Sequence, residues 1–133
     1  MLHHISLGVC DLKRSARFYD AILGELGYVR VWSDLEGAPN TQAVGYGAPG
    51  SDDKLALKQR TNGDLAPGPG FHLAFAASST GAVDRFYAAA MRYGGTDNGA
   101  PGFRPHFGPH YYAAFVIDPD GYRLEAVNTP VAV

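Results

Sequence analysis

The order of apolar and polar residues sets the first element. Along 2–9, Ile5, Leu7 and Val9 fall on one face, and His4, Ser6 and Gly8 fall on the other. A period of two predicts a strand with one face packed and the other turned to water or a cavity. Asp11 then offers a cap, and Leu12, Ala16, Tyr19 and Leu23 recur at helical spacing. A helix is expected there, ended by Gly24 or Gly27. Strands are expected over 28–32, 41–47 and 54–59, then a polar Gly/Pro-rich connection over 60–70. The pattern next restarts, with Leu73 and Phe75 alternating with His72, Ala74 and Ala76. Hydroxyls at 78–80 precede a helix marked by Val83, Phe86, Tyr87, Ala90 and Met91 and stopped by Gly94-Gly95. A Pro-rich loop over 99–109 leads to strands over 111–117 and 122–127, joined by the turn signal Asp118-Pro119-Asp120-Gly121.

The restart is a repeat. Arg17-Phe18-Tyr19 recurs 68 residues on as Arg85-Phe86-Tyr87, and the same offset carries His4 to His72 and Asp52 to Asp120. These anchors predict an α+β chain of two βαβββ modules, with helices on the convex side of a curved, partly closed mixed sheet. Module 1 spans 1–60, a linker 61–70 and module 2 71–133, within a single domain covering 1–133.

Composition narrows the function. The 133 residues are 46% hydrophobic and 18% charged, an ordinary globular mix for one domain. With 11 Lys and Arg against 13 Asp and Glu, the net charge is −2, which gives no electrostatic reason to expect nucleic acid or a membrane surface as partner. The lone Cys10 excludes an internal disulfide and a Cys-based zinc knuckle and is read as packing. No apolar run approaches the ~18 residues of a membrane span, and the start lacks a signal-peptide pattern, so a cytoplasmic setting is expected.

The chemistry gathers on the polar faces of the strands. His4 and His72 each open the first strand of a module, and pseudo-two-fold symmetry would bring them to one cavity, where two imidazoles suit a divalent transition metal. Glu125 lies midway along an apolar strand, where a carboxylate is costly unless paired or metal-bound. The offset makes Leu57 its repeat mate, so three of four inward positions carry ligand types. His106 and His110, in or beside the Pro-rich loop, are candidates for a general base or for substrate binding. Arg123 shares the phase of Glu125 and suits a substrate anion. Tyr111 and Tyr112 face opposite ways, so at most one reaches the cavity, and Tyr112 is taken as the substrate-binding candidate. Lys58 faces away from Leu57. Trp32 and Phe103 are candidate aromatic lining.

The opening His4-Ile5-Ser6-Leu7-Gly8-Val9-Cys10-Asp11-Leu12 with Arg17-Phe18-Tyr19, and the ending Asp118-Pro119-Asp120-Gly121-Tyr122-Arg123-Leu124-Glu125, resemble the vicinal oxygen chelate superfamily. That superfamily includes glyoxalase I, bleomycin-resistance proteins, extradiol dioxygenases, fosfomycin-resistance enzymes and methylmalonyl-CoA epimerase. The resemblance covers essentially the whole chain. It implies a metal on His4, His72 and Glu125, with Glu125 also catalytic and Leu57 standing at or near a fourth ligand position, a substrate-binding place. It also implies a divalent ion (Fe, Mn, Ni or Zn), a small-molecule substrate chelated through neighbouring oxygens, and a homodimer. The expected activity is that of a glyoxalase-like lyase or isomerase or of an extradiol-dioxygenase-like enzyme. The alternative is a metal-free, ligand-sequestering protein of the bleomycin-resistance type.

Overall fold

The structure, a computed structural model, describes residues 1–130. The last three residues of the expected second module lie outside the described residues. The chain forms two compact units, Met1–Ala66 and Pro67–Val133.

Unit 1 runs β1 (Ile5–Val9), α1 (Leu12–Gly24), β2 (Val29–Asp34), β3 (Ala43–Gly47) and β4 (Leu55–Gln59), with a single 3-10 turn at Pro39–Thr41. Its strands form one mixed sheet in the order β1-β4-β3-β2, with β1 and β4 parallel. Unit 2 runs β5 (Leu73–Ala76), α2 (Thr80–Arg92), the two-residue strands β6 (Thr96–Asp97) and β7 (Gly102–Phe103), β8 (Tyr112–Ile117) and β9 (Arg123–Asn128). Its sheet has the order β5-β9-β8-β6, and β7 also pairs with β8. The architecture is therefore α+β with two mixed sheets, one per unit, and neither closes on itself.

The helices form where periodicity and caps coincide. The Asp11 side chain accepts from Arg14 N, and 68 residues on the Ser79 side chain accepts from Ala82 N. Each cap satisfies an orphan N–H of its first turn. α1 buries Leu12, Ala16, Phe18, Tyr19, Ile22 and Leu23, and α2 buries Ala82, Val83, Phe86 and Ala90. These stripes pack on one face of each sheet. Tyr46 of β3 reaches α1, donating to Ala16 O at 3.1 Å and to Asp20 Oδ1 at 2.8 Å. Phe75 of β5 stacks on Phe86 of α2, ring centres 6.4 Å apart. The predicted turn forms as read: Gly121 N donates to Asp118 O at 3.0 Å, and Gly121 takes φ +97°, which glycine tolerates.

The fixed offset hides a change in connection length. The β3–β4 connection spans 48–54, whereas the β8–β9 connection spans only 118–122. Ladder register therefore drifts: Val44 faces Leu57, but Phe115 faces Glu125, a separation of 71 against 68. On the parallel side Ser6 faces Ala56, while Ala74 faces Glu125. The ladder counterpart of Glu125 is thus Ala56, one residue from the offset mate Leu57.

A β-bulge shapes the edge of unit 1. Arg30 faces Tyr46 and Trp32 faces Gly45, so Val31 is the extra residue. Arg30 consequently reaches Asp20 of α1, Nη2 to Oδ2 2.7 Å, on the helix-covered face. Trp32 instead lies over Gly45 on the opposite face, where a Cβ on Gly45 would stand 2.3 Å from the indole nitrogen.

Candidate functional site

In unit 2 the face away from α2 carries the chemistry. Leu124 and Ala126 of β9 lie opposite Leu73 and Phe75 of β5, toward the helix, which turns Glu125 to the other face beside Ala74. Glu125 is only 3% exposed and is still fully partnered. Its Oε1 lies 2.6 Å from His72 Nε2, and its Oε2 accepts from the Tyr111 hydroxyl. Tyr111 donates to Oε2, and a carboxylate Oε1 pairs with the His72 tautomer that carries its proton on Nε2. The buried carboxylate is thereby compensated by an imidazole and a phenol, as its position in an apolar strand demands. Burial, followed by the bond to Glu125, pushes the Tyr111 hydroxyl up to about 12. The His72 ring lies 5.9 Å from that of Phe115, which faces Glu125 across the β8–β9 ladder.

Two of the three expected ligands belong to unit 2, and there the structure brings them together. His72 and Glu125 meet. His4 lies in unit 1, exposed, one residue before β1, with its Nδ1 2.8 Å from His3 Nδ1. Among the described residues no group of three or more His, Cys, Asp and Glu is gathered as a metal site. The donors that do meet fit a divalent ion in kind: one imidazole nitrogen and one buried carboxylate oxygen, adjacent on one sheet face. Binding an ion there requires His72 to release its Nε2 proton.

Leu57 is fully buried on the helix-covered side of its sheet, in register with Leu7. Gln59, two residues on, points the same way and caps α1, accepting from Leu12 N at 2.7 Å and donating to Cys10 O at 2.6 Å. Of the paired tyrosines it is Tyr111, not Tyr112, that joins Glu125. Tyr112 points to the helix and donates to Asp84 at 2.7 Å. Arg123 is half-buried opposite Ile117. Lys58 is exposed, on the other side of β4 from Leu57. His106 is exposed and stacks against Phe107, ring centres 4.1 Å apart. His110 is exposed and borders a depression of about 310 Å³ with Phe107, Tyr111 and Thr129. Phe103 is exposed and packs edge-on against Tyr112, and Cys10 is exposed and in no disulfide among the described residues. No helix is long and apolar enough to cross a membrane, among the described residues.

The model of the Glyoxalase/Bleomycin resistance protein/Dioxygenase superfamily matches residues 1–126. The chain belongs to this superfamily. A glyoxalase/bleomycin resistance protein from Albidiferax ferrireducens T118 is 36% identical, with 96% of this chain and 97% of that one covered and a TM-score of 0.74. A glyoxalase-related enzyme from Fulvimarina pelagi is 25% identical over 100% of this chain and 93% of that one, TM-score 0.72. The fosfomycin resistance protein FosX from Listeria monocytogenes shares the fold at 18% identity, over 98% and 94%, TM-score 0.70. No protein of curated function matches the chain. Within this superfamily fold, Tyr111 and Phe115 are the residues that sequence reasoning missed. Strand phase separates Tyr111 from Tyr112, but only the β8–β9 register says which of them meets Glu125.

Proposed function

We propose that the chain is a divalent-metal-dependent enzyme of this superfamily, acting on a small molecule with two neighbouring oxygens. His72 and Glu125 would hold the ion, with His4 as the third ligand. The observation that carries this reading is the buried Glu125 carboxylate, held between His72 at 2.6 Å and the Tyr111 hydroxyl. A bound divalent ion supplies Lewis-acid stabilisation of an oxyanion formed on the substrate. The chain's own residues have the remaining tasks. Glu125 orients His72, and Tyr111 fixes the second carboxylate oxygen while the first faces His72. His106, which borders the Phe115 depression, is the loop histidine suited to move a proton at a substrate oxygen. A homodimer and a cytoplasmic setting are part of the same proposal, and sedimentation of the full chain tests the first.

One observation favours the ligand-sequestering alternative. Both oxygens of Glu125 are satisfied by side chains of the chain itself, so the site is stable without an ion. Elemental analysis of tag-free protein purified anaerobically separates the two readings. Near one equivalent of Fe, Mn, Ni or Zn, lost in His72→Ala and in His4→Ala, supports the metalloenzyme. No metal after reconstitution with each of the four overturns it.

A further inference from the structure

Unit 2 holds an open depression of about 600 Å³ whose walls include Asn98, Arg104, His106, Phe107 and Phe115. Its floor is rigidly built. Asn98 N donates to Phe115 O at 3.0 Å and Phe115 N to Gly99 O at 2.8 Å, which pins the segment between β6 and β7 to β8. Gly99 sits at φ +145°, and a Cβ there would come 2.9 Å from the Phe115 ring. Glycine is thus required where the backbone passes against that ring.

Arg104 is the cation of this depression. Its guanidinium carbon stands 5.3 Å from the Phe115 ring centre, stacked over the ring, and its Nη2 donates to Ala100 O at 2.6 Å. Among the described residues no carboxylate forms an ion pair with it. A guanidinium held by its face keeps in-plane N–H groups for a planar acceptor, and paired N–H donors match a carboxylate. Phe115 also touches the candidate site, since the His72 ring lies 5.9 Å from it. A negatively charged ligand beside the Glu125 carboxylate needs a local positive charge, and Arg104 supplies one.

We propose that the depression is a subsite for the carboxylate of a small anionic ligand, received by Arg104 while the rest of the ligand extends toward His72 and Glu125. Arg104 is then a specificity residue, selecting an acid over its neutral analogue. The inference rests on the proposed function only for the far end of the ligand. Three probes test it by calorimetry on the full chain: 3,4-dihydroxybenzoate, catechol and benzoate. The wild type is expected to bind 3,4-dihydroxybenzoate at least about ten-fold more tightly than catechol, the size of one charge-assisted contact. Arg104→Gln should abolish that preference and leave catechol unchanged, while Arg104→Lys should keep part of it. Circular dichroism of both variants checks that they fold. Equal binding of acid and catechol by the wild type, or binding of neither, overturns the inference, as does a preference that survives Arg104→Gln. The benzoate arm separates the two proposals. If His72→Ala changes nothing for catechol while benzoate still requires Arg104, the metal-site reading fails and the subsite stands.

Discussion

The two units are built alike and finished differently. Their helices coincide at the 68-residue offset, 12–24 and 80–92, down to the capping residues Asp11 and Ser79. Away from the helices the units part. Where unit 2 sets Ala74, Glu125 and Phe115 side by side, the unit 1 ladder sets Ser6, Ala56 and Gly45, with Trp32 laid over the glycine. One face bears a partnered carboxylate, and its counterpart bears small side chains under an indole. The lesson is that the helix-covered face fixes the scaffold, while the opposite face is free to take on chemistry in one copy alone.

The largest effect should come from the shared half of that comparison. Phe18 and Phe86 are equivalent and both fully buried. Phe18→Ala and Phe86→Ala should each cost about 3–5 kcal/mol, read by chemical denaturation, because each leaves a cavity under its sheet. A cost in one unit less than half that in the other would break the equivalence. A smaller loss tests the divergent face. Gly45→Val should displace Trp32 and cost roughly 1–3 kcal/mol by overpacking. Trp32 is the only tryptophan, so its fluorescence reports the displacement directly. An unchanged emission spectrum would mean that the indole does not rest on Gly45.

The smallest effect concerns pH. Burial, then the bond to Asp20, raises the Tyr46 hydroxyl well above its ordinary value of 10.0, while Arg30 opposes the shift. A raised folded-state value favours the neutral phenol in the folded protein. That stabilisation is fully present below pH ~10 and is lost as pH climbs through the folded value. Tyr46→Phe should therefore flatten the alkaline fall in stability above pH ~10, measured by thermal unfolding. A parallel fall in both proteins would remove Tyr46 from the account.

Much of this was legible in the sequence, for reasons of range. Helix periodicity, the caps and the Asp118–Gly121 turn depend on residues a few positions apart, and they form as expected. The cost of Glu125 in an apolar strand was also readable, since burial of a carboxylate demands partners wherever they come from. Register was not. It depends on connection lengths such as those of 48–54 and 118–122, which differ between the units in a way that the 68-residue motif offset does not reveal. That is why the offset selects Leu57 where the ladder selects Ala56, and why Tyr112 was preferred to Tyr111. The strand β7 falls within the expected loop over 99–109 and β6 falls in no expected element, because two residues carry no period.

Val31 carries a wider consequence. Were it paired in the ladder instead of bulged out, Arg30 and Trp32 would share a face, and the indole would fall on the side of the sheet where Arg30 meets Asp20. Whether one residue at a sheet edge is paired or bulged out thus decides which face the side chains beyond it take, while altering none of them. For a lineage, or an engineer, seeking a new surface on this scaffold, short insertions along the outer strands reach arrangements that no series of point replacements can.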